Sequence, residues 1–185
     1  MALNEQELKT LMEARLTGYV EKARDLFIFL TTTGMRYSDS QLFDSSWITP
    51  EHILEFKQLK TGGKAMPPLY GTAMKILVKY DGRPPQITNQ KLNDHLKDLF
   101  KELKLNRQIR THIVRRKQVY TEAKPLCDII SSHAARRTFI SLCLQKGMPL
   151  IDVMKMSGHS DFRSMKPYIQ VTRKHLRDVA DRWEI

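Results

Sequence analysis

The chain has 185 residues, 41% hydrophobic and 28% charged, with a formal net charge of +11 at pH 7, which suits one soluble globular domain with a substantial core. It shows no apolar run long enough for a membrane span, no signal-peptide pattern and no Cys/His spacing of a zinc site. Its two cysteines, Cys127 and Cys143, make no disulfide framework and read as small buried hydrophobes in a reducing cytoplasm.

Asn4 opens a first helix, with Glu7 three residues on as in a capping box and Leu8, Leu11 and Met12 as its apolar stripe. After a break around Gly18, a second helix reaches Leu30 and is apolar nearly all round, so it is expected at the centre. Gly34 is expected to end it as a left-handed C′ residue. Arg36 then lies in a tight connection, with Ser38 and Asp39 capping the next helix. An arginine held at a helix junction is pre-positioned, unlike a plain surface cation beside Asp39. Residues 52–59 read as a strand, Thr61-Gly62-Gly63 as a turn and 64–69 as the returning partner. Pro67 and Pro68 keep that partner short or at an edge. Lys57, Lys60 and Lys64 project from this hairpin on long stems.

Helices are predicted over residues 71–80 and 88–103, the latter with Leu92, Leu96, Leu99, Phe100 and Leu103 at helical spacing. Residues 106–120 read as a strand or irregular hairpin, and Arg110, Arg115, Arg116 and Lys117 are its natural phosphate contacts. Charge is concentrated here: residues 101–124 carry eight basic against two acidic side chains, whereas residues 1–50 carry five against seven. A basic face of this kind is the footprint expected of a binder of phosphate backbones.

Ser131 and Ser132 stand where the next helix needs an N-cap, and Gly147 followed by Pro149 stops it. Its interior face is expected to carry Phe139, Ile140, Leu142, Cys143 and Leu144. His133 and Arg136, three apart, share another face. Arg137 turns about 100° away from Arg136, toward a structural role or the DNA backbone. A further helix over 149–156 begins at Pro149 and buries Leu150, Val153 and Met154. His159 follows Gly158, Tyr168 comes nine residues later, and 171–183 reads as a final amphipathic helix. Arginine supplies a planar fork for phosphate oxygens, histidine moves protons near neutral pH, and tyrosine can serve as a covalent nucleophile.

The ordered series His133-x-x-Arg136, Gly158-His159 and Tyr168 resembles the C-terminal signature of tyrosine recombinases, the phage-integrase family. TTTGMRYSDSQL around Arg36 resembles that family's first-arginine motif, and FKQLKTGGKAMPPL its lysine-bearing hairpin, with Lys60 the best match. The resemblance implies a mainly α-helical catalytic domain with a small antiparallel hairpin or sheet, filling residues 1–185 without the family's N-terminal DNA-clamping domain. It implies site-specific cleavage and rejoining of DNA strands, as by mobile-element integrases. Tyr168 would form a 3′-phosphotyrosyl link and Arg36 and Arg136 would grip the phosphate. His133 would assist the Tyr168 proton, His159 would hydrogen-bond the phosphate and Lys60 would protonate the leaving 5′-oxygen. No cofactor or metal is implied. The implied partners are double-stranded DNA and further copies of the chain, as a tetramer in the synapse, at a cytoplasmic, DNA-associated location. A type IB topoisomerase is the nearest rival, disfavoured by His159 and the TTTGMRYSDS context. A non-catalytic DNA-binding regulator on the same fold is disfavoured by the intact Tyr168 and both arginines.

Overall fold

A computed structural model describes residues 1–115 and 118–169 of the chain. In chain order these form α1 (Glu5–Glu13), α2 (Gly18–Thr33), the short α3 (Tyr37–Ser40) and a 3₁₀ turn at Ser45–Trp47. A first hairpin, β1 (Phe56–Lys57) and β2 (Lys64–Ala65), leads to α4 (Thr72–Lys79) and α5 (Asn89–Glu102). A second hairpin, β3 (Gln108–Arg115) and β4 (Gln118–Pro125), leads to α6 (Leu126–Ile129), α7 (Ser132–Gln145), α8 (Leu150–Ser157) and a 3₁₀ turn at Phe162–Tyr168. The fold is mainly helical with two small antiparallel sheets, as the sequence predicts. No helix among the described residues is long and apolar enough to cross a membrane. The helix expected over 171–183 lies outside the described residues, as do Arg116 and Lys117.

The local signals act where they were read. Asn4 accepts the Glu7 N–H at 2.8 Å while the Glu7 carboxylate accepts the Asn4 N–H at 2.8 Å, a complete capping box. Glu7 also holds Arg107, Nε to Oε1 at 2.7 Å, and Leu3 N–H donates to Thr138 Oγ1, so the N-terminal segment is fastened to α7. Helix α2 is buried without a break from Ala23 to Thr31 and packs on α7, α4 and α5. Phe27 meets Phe100 of α5 edge-on at 6.2 Å, and both rings are fully buried. Burying side chains of this size stabilises the fold by about 1.5–3 kcal/mol each. Met12, expected on the buried stripe of α1, is instead 40% exposed.

Other expectations are corrected. The strand expected over 52–59 shrinks to Phe56–Lys57, flanked by isolated bridges Ile48–Leu54 and Ile53–Pro68. Pro67 and Pro68 bring no N–H to a ladder, so the pairing breaks into separate contacts, Leu54 N–H donating to the Pro67 carbonyl at 2.9 Å. Helix α3 is not capped by Ser38 and Asp39, which lie inside it; Arg36 occupies the N-cap position with no side-chain cap. Pro149 likewise precedes α8 as its N-cap residue rather than opening its first turn. Leu142 and Leu144 of α7 are half-buried, leaving Phe139, Ile140 and Cys143 as its buried contribution to a second, smaller core. That core also takes Val153 and Met154 from α8 and Met165 from the last 3₁₀ turn, and it supports Tyr168.

Candidate active site

Three chain segments converge around Arg136. Its place on α7 is held by packing, Ala134, Ala135, Phe139 and Ile140 being buried beside it. Arg136 is 2% exposed: Nη1 donates to the Gly34 carbonyl at 2.8 Å and Nη2 to the Ser157 carbonyl. One bond therefore reaches the end of α2, where Gly34 sits at φ +66°, and the other reaches the end of α8. A Cβ at Gly34 would lie 2.4 Å from the Phe139 ring, so the glycine also lets α2 close on α7.

Arg36 follows two residues after Gly34 and leaves Nη1 buried with no hydrogen-bond partner among the described residues. Its charge acts on Arg136, His133 and His159. Burial, then the Arg36 charge, pushes the Arg136 pKa down to about 10, while Tyr168 and Asp39 oppose that shift. Asp39, 1% exposed, accepts the Leu59 N–H through Oδ1 at 2.9 Å and so fastens the first hairpin to α3. Its Oδ2 has no partner among the described residues.

His159 is set by the end of α8, where Gly158 adopts φ +65°. Ser157 Oγ donates its one proton to the Val153 carbonyl and so accepts Nδ1–H of His159 at 2.8 Å. Arg136 Nη2 lies 3.3 Å from both ring nitrogens, and Nε2 is then the one left to accept from it. Burial and the charges of Arg136 and Arg36 push the His159 pKa down to about 4, so the ring is neutral near pH 7. The Tyr168 ring lies 6.5 Å from the His159 ring, at the end of the 3₁₀ turn that buried Met165 anchors. His133 is exposed at the start of α7 and held below the usual imidazole range by partial desolvation, then by Arg137, Arg136 and Arg36.

The six residues proposed as catalytic thus divide. Arg36, Arg136, His159 and Tyr168 form one cluster, and His133 stands in the field of its arginines. Lys60 is exposed in the turn of the first hairpin and makes no ion pair among the described residues. Of its neighbours, Lys57 is exposed on β1, while Lys64 pairs with Glu55 at 2.6 Å. Arg110 and Arg115 belong to β3 of the other hairpin. Arg137 is half-buried, its Nε without a partner among the described residues, and its charge acts on His133 and on the Met1 amine. Sequence reasoning missed Gln58, Ser157 and the Asp39–Leu59 tie. Gln58 had a signal: it shares the inward register with Phe56 across exposed Lys57, and an inward polar residue on a strand needs partners.

The sequence model described as "Phage integrase family" matches residues 2–175. No sequence among the curated proteins matches the chain. Among solved structures the chain is similar to the XerH site-specific recombinase bound to a palindromic difH substrate, with TM-score 0.67 and 18% identity over 100% of this chain and 53% of that one. It is similar to the Tn1549 transposon integrase in complex with transposon right end DNA, with TM-score 0.63, 16% identity and coverage of 98% and 65%. It is also similar to a lambda integrase dimer bound to a core site, with TM-score 0.66, 16% identity and coverage of 92% and 63%. The chain therefore spans about half to two thirds of the length of these proteins. At these identities the likeness shows the fold alone, that of tyrosine recombinase catalytic domains. With the match running over residues 2–175, the chain belongs to the phage integrase family.

Proposed function

We propose that the chain is a tyrosine-type site-specific DNA recombinase that cuts and rejoins strands through a 3′-phosphotyrosyl intermediate. The observation that supports this best is the cluster of Arg36, Arg136, His159 and Tyr168, drawn together from the α2–α3 junction, the body of α7, the end of α8 and the last 3₁₀ turn. Two guanidinia beside a phenol suit an anionic phosphate under attack by the Tyr168 oxygen. Arg36, with Nη1 unpartnered among the described residues, and Arg136 bind the non-bridging oxygens and neutralise charge that builds in the transition state. His159 keeps Nδ1–H on Ser157 and turns Nε2 toward the phosphate, whose negative charge favours a second proton there, and that Nε2–H donates to a phosphate oxygen.

In the cleavage step the Tyr168 oxygen forms a bond to phosphorus as the bond from phosphorus to the 5′-oxygen breaks. The phenolic proton passes to His133, whose lowered pKa leaves it neutral and able to accept. Lys60 gives a proton to the departing 5′-oxygen. A 5′-hydroxyl then attacks the phosphotyrosine in the reverse sense and restores the diester, so the bond energy is retained and no nucleotide hydrolysis is needed. Exchange between two duplexes requires four cleavages, hence four copies each contributing one Tyr168. Lys57, Arg110 and Arg137 are assigned to the DNA backbone, with Lys64, Arg115, Arg116 and Lys117.

The test begins with a pool of nicked duplexes carrying a randomised central stretch. Covalent protein–DNA complexes are isolated on a denaturing gel and the trapped DNA is sequenced to recover a cleavage site. Trapping by the chain and none by Tyr168→Phe is expected, with duplex affinity nearly unchanged because the ring remains. Equal trapping by Tyr168→Phe overturns the assignment, and no trapping by either overturns the activity. Cleavage is expected to persist in excess EDTA, because two arginines and a lysine do the charge and proton work. Lys60→Ala is expected to slow cleavage by about 10²–10⁴-fold, as loss of a general acid does. A bridging 5′-sulfur, which leaves without a proton, restores the rate of Lys60→Ala but not of Arg36→Ala.

A further inference from the structure

Gln58 is the one uncharged polar side chain of the first hairpin that is fully buried, at 1% exposed. Its Nε2 donates to the Ser157 carbonyl at 2.7 Å, the same oxygen that takes Arg136 Nη2. Its Oε1 accepts from Thr61 Oγ1 at 2.7 Å. Its backbone closes the turn as well, Gln58 N–H donating to the Gly63 carbonyl and Gly62 N–H to the Gln58 carbonyl, both at 2.9 Å. Lys60 lies inside this loop. The amide also packs against Gly158, where a Cβ would come within 2.4 Å of Nε2. One residue thus joins the end of α8, whose Ser157 carbonyl also takes Arg136, to both sides of the lysine turn.

We propose that Gln58 is a positioning residue, which sets the Lys60 turn against the Arg136–Ser157 node so that the lysine meets the leaving 5′-oxygen. The reasoning is geometric. The β1–β2 ladder has only two residue pairs, too few to hold an exposed lysine turn in one place. Beyond the ladder, the turn is tied through Asp39 at Leu59 and through Gln58. Gln58 alone of these bonds to an atom that also holds a phosphate-gripping arginine. Arg136 and Gln58 share one acceptor, so movement of α8 carries guanidinium and turn together. The proposal rests on the reading of Lys60 as general acid.

Gln58→Glu keeps the volume and the bond from Thr61 but cannot donate to the Ser157 carbonyl. Thr61→Val cuts the other end of the tie at an exposed position where folding is not at risk. Both are compared with Lys60→Ala on the cleavage site recovered from the randomised pool, made with a bridging 5′-oxygen or 5′-sulfur. On oxygen, Gln58→Glu is expected to be slower by roughly 10–100-fold, the scale of an ångström-sized misplacement, and Thr61→Val slower by less. On sulfur both recover, as Lys60→Ala does, and Gln58→Glu added to Lys60→Ala costs nothing more on oxygen. If Lys60→Ala recovers on sulfur while both tie variants stay slow, Gln58 acts through the arginines or the fold and the proposal is overturned. Full rate on oxygen for both variants also overturns it. If Lys60→Ala itself fails to recover, the general-acid reading falls and takes the proposal with it.

Discussion

Gly34→Ala tests the junction that brings Arg36 and Arg136 together. The residue adopts φ +66°, and the added methyl would lie 2.4 Å from Cδ1 and 2.7 Å from Cε1 of Phe139. A side chain in the left-handed region costs about 1–2 kcal/mol. Forcing a buried ring aside in a packed core costs a further ~1–3 kcal/mol, so the total is about 2–5 kcal/mol. Gly82→Ala is the internal control: it too has positive φ, +84°, yet meets nothing within 4 Å. It carries only the backbone cost of about 1–2 kcal/mol. Equilibrium urea unfolding reads the difference. With a slope near 2 kcal/mol per molar, Gly34→Ala lowers the midpoint by about 1–2.5 M and Gly82→Ala by about 0.5–1 M. Because the Gly34 carbonyl anchors Arg136, the displaced junction should also weaken covalent trapping of DNA. Equal midpoints for the two variants would refute the ring-contact reasoning.

Asp39→Ala leaves the Leu59 N–H without its acceptor and removes a buried carboxylate acting on Arg136, so about 1–3 kcal/mol should be lost; amide hydrogen exchange at Leu59 should accelerate with it. Burial neutralises His159, lowering its folded pKa from 6.5 to about 4, so the unfolded chain binds more protons in between. Stability should therefore fall as pH drops from about 6.5 to about 4, by at most ~1.4 kcal/mol per pH unit from this group, and flatten below. His133 is shifted in the same direction, and denaturation of His159→Gln across that window should show a shallower loss. In NMR titration, DNA carrying a phosphate beside Nε2 should raise the His159 midpoint above the free value; an unchanged midpoint would contradict the assigned contact. Duplex binding should weaken steeply with salt, and Arg110→Ala should reduce the slope of log affinity on log salt by about 1 if that residue meets a phosphate.

What was legible in the sequence was local. The Asn4–Glu7 box, the left-handed Gly34 and the stop after α7 depend on atoms within a turn of helix, so residue type and spacing suffice to place them. The amphipathic stripe of α5 was equally readable, and it buries Leu92, Leu96, Leu99 and Phe100 as expected. The motif residues Arg36, His133, Arg136, His159 and Tyr168 could be named for their chemistry, but naming them did not bring them together. Tertiary structure decided the rest. Arg136 reaches Gly34 across 102 positions, and Gln58 reaches Ser157 across 99. No periodicity carries such pairings, because they follow from how α2, α7 and α8 pack. The short ladder of the first hairpin and the interior role of Asp39 share that origin. Backbone groups there found partners in α3 and α8, Leu59 N–H at Asp39 and Met66 N–H at the Lys155 carbonyl, rather than in a longer sheet. The neutral state of His159 is likewise a property of the assembled site: an imidazole in water titrates near 6.5, and only burial beside two guanidinia moves it to about 4.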